Sequence, residues 1–384
     1  MPVSRRIVAD ALAAVAPEHR PSVVLGFDGF IDDIVDLVAE RRSAADYDRI
    51  GTIGHLAKRL AAAAGHSCNI ERVVRLTKIG GNGPIMAAAL MRLRAQVDYI
   101  GALGDSCVHA VFSELAEGAR SCISLGAPSH TEALEFDDGK VMLGNLEPMD
   151  AITWDRLIEC VGLERLGELL GRADGIATVN WTMTFGMTEI WEQLAEQVLP
   201  KLSLQDRPLW FIDLADPAKR SKGAILRAMQ VLQKLQQHVD VVLGLNEAEA
   251  HQILGLLDND AAERLIPIVN EGERCHAMAV AIRSHLPLFR LALHFTGHAA
   301  SAWADGSASE PGFYISKPKI TTGAGDHFNA GYFAACLAGL DQSQALVVGT
   351  ATSGFYVRNA KSPTRQDLVD FMRAEADAVT AAPS

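Results

Sequence analysis

Short, almost wholly apolar runs alternate along this chain with longer segments of helical periodicity. The apolar runs cover residues 23–26, 97–101, 176–180, 209–213, 239–243 and 289–295. Strands that are apolar along their whole length are typical of a parallel sheet covered by helices on both faces. The sequence therefore predicts an α/β fold, a large domain with a mostly parallel central sheet flanked by helices. In such sheets ligands bind beyond the carboxyl ends of the strands, so polar residues that follow strands are the first candidates for a site.

One segment departs from this alternation and has the pattern of a β-hairpin. Short strand-like runs flank Asp137-Asp138-Gly139 on both sides, and an Asp-Gly turn favours a tight hairpin. A hairpin inside an α/β chain indicates a small β-sheet appendage, to which residues 71–79 could add a strand. We therefore expect a single domain over residues 1–384 with a small β-sheet lid built from parts of 33–79 and 130–146.

The charge balance and the cysteines limit the class of partner. Lys and Arg number 35 against 47 Asp and Glu, so the net charge is −12, which argues against a nucleic-acid or anionic membrane surface. No apolar run approaches the ~18 residues that a membrane span requires. The 6 cysteines are scattered without a Cys-x-x-Cys pair, as is typical of reduced thiols. We expect a cytoplasmic protein with no nucleic-acid and no membrane partner.

The strongest chemical signal is the segment Thr322-Gly323-Ala324-Gly325-Asp326, which leads into a predicted helix. Small residues let the backbone approach a ligand closely, and the N–H groups at a helix start bind anions. An aspartate at the same place can take the proton of an alcohol that attacks a phosphoryl group. The pattern therefore predicts a phosphoryl-transfer site, although a glycine-rich helix start with Asp326 as an ordinary first-turn residue has the same pattern.

Four segments together resemble the ribokinase-like (PfkB) carbohydrate kinase family. Residues 322–331 are similar to its C-terminal signature, and residues 78–105 to its glycine pair, helix and Gly-Asp turn. Asn246 and Glu249 match its Asn-x-x-Glu motif, and residues 26–32 resemble its first-strand segment. The matches occur in the family's order and span roughly residues 22–360.

The resemblance implies the chemistry of a kinase: Mg²⁺ as cofactor and ATP as phosphoryl donor. Asp326 would be the base that activates the acceptor hydroxyl, and Gly323, Ala324 and Gly325 would form the anion hole. Glu249 would hold Mg²⁺ through water. The nucleotide would contact Asn246, Thr296, Gly297, Thr322 and Asn359.

The acceptor would be a sugar or sugar-like small molecule. The substrate-binding candidates are Asp28, Asp32, Gly81, Asn82 and Asn180. Asn180 is a candidate because it follows a predicted strand, and the neighbouring Trp181 suits the same pocket or the core equally well. A homodimer formed through the lid is a further possibility.

The chain departs from the family's usual pattern at three positions, one of which lies at the start of the C-terminal signature. Ile320 stands where an acid or amide is usual, Ile85 where a sugar-binding asparagine is common, and Ser106 where a second acid is frequent. Two alternatives therefore stay open: a kinase for a nucleoside or other non-sugar alcohol, and a non-catalytic relative that only binds a ligand. ADP is also a possible donor in place of ATP.

Two acidic segments are interpreted as solvated. Asp213 ends a predicted strand, and the polar residues Asp216 and Lys219 that follow favour a solvated loop. Asp32, Asp33 and Asp36 favour a strand end followed by a capped, solvated helix.

Overall fold

The computed structural model describes residues 2–202 and 207–381. The strands are β1 (Ser22–Phe27), β2 (Phe30–Arg41), β3 (Tyr47–Arg49), β4 (Arg72–Gly80), β5 (Gln96–Gly101), β6 (Ser121–Ser124), β7 (Ser129–Phe136), β8 (Gly139–Asn145), β9 (Gly175–Thr178), β10 (Leu209–Asp213), β11 (Asp240–Asn246), β12 (Arg290–His294), β13 (His298–Trp303) and β14 (Gly306–Pro311). The helices are α1 (Arg5–Ala14), α2 (Ile53–Ala62), α3 (Asn82–Arg92), α4 (Ser113–Gly118), α5 (Trp154–Val161), α6 (Leu163–Gly171), α7 (Met187–Gln193), α8 (Lys222–Leu235), α9 (Glu247–Leu257), α10 (Asn259–Leu265), α11 (Glu271–His285), α12 (Ala324–Leu337), α13 (Gln342–Asn359) and α14 (Arg365–Ala381).

A nine-stranded sheet forms the centre of the molecule, in the order β14-β13-β12-β11-β10-β9-β1-β5-β6. The pairs from β6 to β12 are parallel, and β13 and β14 join the β12 edge in antiparallel pairing. The predicted mostly parallel α/β sheet is confirmed.

Helices cover both faces of this sheet, and each face has its own apolar core. β10 shows how the faces are built, because successive side chains of a strand point to opposite sides. Trp210 and Ile212 pack into one core and Phe211 into the other, and all three are fully buried. Strands of this kind lie between two helical layers, which explains why they are apolar throughout.

A second, five-stranded sheet stands apart from the first. β2 pairs in parallel with β7 and in antiparallel fashion with β4 and β3, while β8 closes the edge beside β7. α2 covers one of its faces, over a small core that includes Val35, Leu37 and Leu134. The separate small mixed sheet agrees with the predicted fold class. Its exact extent as a lid and a homodimer formed through it stay predictions.

The interpretation of Asp32, Asp33 and Asp36 as the start of a solvated helix is wrong. All three lie buried in β2, a strand of 12 residues. Asp33 accepts hydrogen bonds from the hydroxyl of Thr77 and pairs with His130 at 2.8 Å, so partners on β4 and β7 compensate the poor strand propensity of aspartate.

The two sheets meet where the chain passes from β1 into β2. The connection consists of Asp28 and Gly29 alone, and a Cβ atom on Gly29 would lie 1.8 Å from the carbonyl oxygen of Ala102. Only glycine fits this close approach, which fixes Asp28 at the carboxyl end of β1. Within the described residues no helix is long and apolar enough to cross a membrane.

Candidate active site

Asp28 lies at the centre of the polar residues that collect at the carboxyl edge of the large sheet. It is fully buried and accepts hydrogen bonds from the backbone N–H groups of Asn82 and Gly83, both at 2.9 Å, and from Nδ2 of Asn180 at 2.8 Å. The hydroxyl of Tyr99 donates to its backbone oxygen at 2.7 Å. Burial raises the pKa of Asp28 to about 6, although these hydrogen bonds lower it. The carboxyl therefore ties β1, α3 and the end of β9 together.

Asp326 lies in the first turn of α12 and is joined to this group through Asn82, whose Nδ2 donates to Oδ1 of Asp326 at 2.7 Å. Only 8% of Asp326 is exposed. Burial is the largest influence on Asp326 and raises its pKa to about 7. The hydrogen bond from Asn82 lowers this pKa, and the nearby carboxylates of Asp28, Glu249 and Asp32 raise it. A carboxyl whose pKa is close to neutral can act as a general base at physiological pH.

The glycine loop turns the chain into α12. Gly323 has φ 89°, in the left-handed region that favours glycine, and it caps the helix. Gly325 and Asp326 follow in the first turn, where backbone N–H groups have no acceptor within the helix. Ala324 differs, because its N–H donates to the carbonyl of Thr321 at 3.1 Å. The loop thus offers the amides of Gly325 and Asp326 to an anion.

A cavity of about 550 Å³ lies on one side of this loop. Asn246, Thr296 and Gly325 line it, together with aromatic and aliphatic side chains such as Phe313 and Val357. Such a mixture of apolar walls and a few polar groups is typical of a small-molecule site.

Not every nucleotide candidate lies at this first cavity. Asn359 is the exposed last residue of α13. Its Nδ2 donates to the carbonyl of Phe355, so its side chain forms a hydrogen bond within its own helix and does not line the cavity. Gly297 does not line the cavity, and its N–H donates to Oε1 of Glu271 at 2.7 Å. Thr322 borders a different cavity, described next.

The second cavity, of about 530 Å³, lies between the small sheet and residues 319–322. Asp32 and Lys78 project into it from β2 and β4, with Nζ of Lys78 3.9 Å from Oδ2 of Asp32. Asp32 is 7% exposed, and burial raises its pKa. Of the two aspartates that are substrate candidates, Asp32 therefore faces a cavity. Asp28 is buried and bonded to residues of the protein itself. Gly81, with φ 88°, is the N-cap of α3 and carries the chain past Asp28.

Glu249 lies in the first turn of α9, directly after the carboxyl end of β11. Asn246 and Glu249 form a capping box, in which Oε2 of Glu249 accepts from the N–H of Asn246 at 2.9 Å. Its Oε1 accepts from the N–H of Asp216 at 2.8 Å. Asp216 and the preceding Ala215 both have positive φ, 64° and 56°, a strained turn that directs this N–H at the carboxylate.

The interpretation of Asp213 as part of a solvated loop is wrong. Asp213 is only 6% exposed, and its Oδ2 accepts from Nδ2 of Asn329 on α12 at 2.8 Å. Burial, and then the charges of Glu249 and Asp326, raise the pKa of Asp213 well above its usual range. Its other oxygen has no hydrogen-bond partner in the described part of the chain. Its place at a strand end pointed to a site residue, but the polar residues that follow it led to the wrong interpretation.

The remaining candidate of uncertain role, Trp181, belongs to the core. It is fully buried, and its indole N–H donates to the hydroxyl of Thr188 at 2.7 Å. The neighbouring Asn180 has φ 61°, which turns its amide towards Asp28.

Comparisons with known proteins agree with this geometry. Residues 5–374 match the family model described as prokaryotic ketohexokinase. A ketohexokinase of Haloferax volcanii is 30% identical over 378 residues, which is 97% of each chain. Two solved structures show the same fold: a fructokinase with bound ATP from Xylella fastidiosa (TM-score 0.62, 13% identity, 92% of this chain and 99% of that one) and a ribokinase of Arabidopsis thaliana complexed with ribose and ATP (TM-score 0.59, 15% identity, the same coverage). The resemblance to the ribokinase-like kinases is confirmed, and the chain belongs to the prokaryotic ketohexokinase family of carbohydrate kinases.

Proposed function

We propose that this sugar kinase transfers the γ-phosphate of ATP to a hydroxyl of a ketohexose, with Asp326 as the base. One observation carries the proposal: the glycine loop that leads into Asp326 borders two cavities, one at Gly325 and the other at Thr322. ATP in the first cavity and a sugar in the second would meet at this loop. The family to which the chain belongs favours a ketohexose as the acceptor.

The chemistry follows from the groups at the loop. Asp326 takes the proton of the acceptor hydroxyl while the hydroxyl oxygen attacks the γ-phosphorus. The bond from that phosphorus to the bridging oxygen breaks, and ADP leaves with the electron pair. The amides of Gly325 and Asp326 and the positive end of α12 stabilise the negative charge on the transferring phosphoryl oxygens.

Two buried carboxylates close to Asp326 suit a magnesium ion. Mg²⁺ in kinases is held by one or two carboxylates together with substrate phosphates, so few protein ligands are needed. Asp213 has a buried oxygen without a partner, and Glu249 is a second carboxylate nearby. These two residues would hold the ion, Glu249 through water. When bound, Mg²⁺ neutralises charge on the β- and γ-phosphate oxygens.

The sugar would lie under the small sheet. Asp32 and Asn82 are the groups best placed to accept from and donate to its hydroxyls, because Asp32 faces the second cavity and Asn82 bonds to Asp326. Closure of the small sheet over this cavity would exclude water, which otherwise competes with the sugar for the phosphoryl group.

The proposal is tested by measuring product formation over a panel of acceptors and donors. We expect ADP formation to be fastest with fructose among fructose, ribose, glucose and adenosine, and to require ATP and Mg²⁺. ADP offered as donor would give AMP if the protein used it, and we expect none. Faster turnover of adenosine than of any sugar, or a product that forms from ADP alone, would contradict the proposal.

A further inference from the structure

We propose that His327 is a positioning residue that, with Tyr356 and Ser362, holds the glycine loop in the shape that binds the transferring phosphoryl group. The inference rests on the proposed function, because it takes the loop to be the anion hole. His327 directly follows the proposed base, Asp326, in α12 but points to the other side of the loop.

The carbonyl oxygen of Gly323 is fixed by two bonds from this one residue. The backbone N–H of His327 donates to it at 3.1 Å, as the first bond of α12, and the ring nitrogen Nδ1 lies 2.7 Å from it. A carbonyl only accepts, so Nδ1 carries the ring proton. Both lone pairs of the Gly323 carbonyl oxygen are then occupied. The peptide group between Gly323 and Ala324 cannot rotate without breaking a hydrogen bond.

The other ring nitrogen is anchored in a separate element. Nε2 of His327 lies 2.8 Å from Oγ of Ser362, which follows α13. Because Nδ1 holds the proton, Nε2 accepts from the serine hydroxyl. The backbone carbonyl of Ser362 in turn accepts from Nε of Arg92 in α3, at 2.8 Å. Burial lowers the pKa of His327 to about 4, so the ring is neutral at physiological pH and keeps this arrangement.

Tyr356 holds the preceding carbonyl of the loop. Its ring stacks on that of His327, with centroids 3.6 Å apart and planes at 12°, and its hydroxyl donates to the carbonyl of Thr322 at 3.1 Å. A Cβ atom on Gly323 would lie 3.3 Å from the same hydroxyl oxygen, so the loop rests on the phenol ring. Burial raises the pKa of Tyr356 to about 12, which keeps the phenol protonated and able to donate.

The two rings therefore fix two successive carbonyls, those of Thr322 and Gly323, immediately before the amides that face the anion. Loss of the hydrogen bonds to these carbonyls would leave the helix in place but let the loop sample other orientations. The amides of Gly325 and Asp326 contribute most when charge develops on the phosphoryl oxygens, so looser orientation lowers kcat more than it changes the KM for ATP.

The experiment compares two amide substitutions that differ in one methylene group. In His327→Asn the amide nitrogen occupies the position of Nδ1 and can still donate to Gly323, whereas in His327→Gln it lies one bond further away. We expect His327→Asn to keep kcat within about 3-fold of the wild-type value and His327→Gln to lose on the order of 10-fold or more, with the KM for ATP changed by less than about 3-fold in both.

His276→Ala is the matched control, because its Nε2 also lies 2.8 Å from a serine hydroxyl, that of Ser307, but away from the loop. We expect its kcat to equal that of the wild type. Equal kcat for His327→Asn and His327→Gln, whether both normal or both low, would overturn the inference. Asp326→Asn is measured beside them: if that variant turns over normally the proposed function fails, whereas an inactive Asp326→Asn with a normal His327→Gln refutes only the role of His327.

Discussion

The substitution Asp326→Asn is expected to stabilise the folded protein, and increasingly so as the pH rises. Asp326 is nearly fully buried, and its pKa is raised from the ordinary 3.8 to about 7. The folded protein therefore keeps a proton on this carboxyl at pH values where the unfolded chain has lost it. The contribution to stability is fully present below pH 4 and is lost as the pH rises through about 7.

The size of the effect follows from the two pKa values. One pH unit of difference corresponds to about 1.4 kcal/mol, so the wild type loses about 2–3 kcal/mol of stability from this carboxyl between pH 5 and pH 8. Asparagine has no proton to lose, and its amide oxygen can still accept the bond from Nδ2 of Asn82. The free energy of unfolding of Asp326→Asn, relative to that of the wild type, should therefore grow by about 2–3 kcal/mol over this range.

The assay is urea denaturation followed by the fluorescence of the buried tryptophans at pH 5 and pH 8. Asp305→Asn, at an exposed turn between β13 and β14, is the matched control and should show no pH-dependent difference. If the difference between Asp326→Asn and the wild type stays constant within about 0.5 kcal/mol over this range, the argument that burial holds a proton on Asp326 is refuted.

Three further predictions concern catalysis and packing. We expect kcat/KM for the sugar to rise with pH through about 7, because only the ionised form of Asp326 accepts a proton, and a flat pH–rate profile would contradict this. Asp213→Asn should raise the Mg²⁺ concentration needed for half-maximal activity by on the order of 10-fold, and an unchanged Mg²⁺ titration would remove Asp213 from the metal site. Gly331→Ala should destabilise the protein by about 1–3 kcal/mol in thermal or urea unfolding, because its Cβ would lie 2.2 Å from Oγ1 of Thr352 where α12 packs on α13. The control Gly223→Ala, at an open position of α8, should instead be neutral or stabilising by up to about 1 kcal/mol, and equal effects of the two would contradict the packing argument.

The parts of the site that follow local rules could be predicted from the sequence. The glycine loop and Asp326 share one short segment at a helix start, and the geometry of Gly323 follows from its lack of a side chain. Asn246 and Glu249 are likewise three residues apart and form a capping box within one helical turn. Short-range sequence patterns of this kind predict the local backbone geometry without knowledge of distant partners.

The parts that depend on distant partners could not be predicted. Asp28 acts as a hub only because Asn82, Tyr99 and Asn180 come together around it from three other segments. The burial of Asp213 likewise depends on Asn329, 116 positions later in the chain. Neither the partners nor the burial can be inferred from the neighbouring residues.

The small sheet shows the same limit for secondary structure. Asp32, Asp33 and Asp36 in one strand contradict local propensity, which disfavours aspartate in strands. Pairing with β4 and β7 decides the conformation instead, since those strands supply the hydroxyl of Thr77 and the ring of His130 to Asp33.

The role of Asp326 as the base is tested by the rate of phosphoryl transfer to fructose by Asp326→Asn, measured in a single turnover with ATP affinity determined separately by calorimetry. We expect a rate lower by on the order of 10²–10⁴-fold with the Kd for ATP nearly unchanged, because the variant lacks the base but keeps the loop. A rate within about 10-fold of the wild type would show that Asp326 is not the base that activates the sugar hydroxyl.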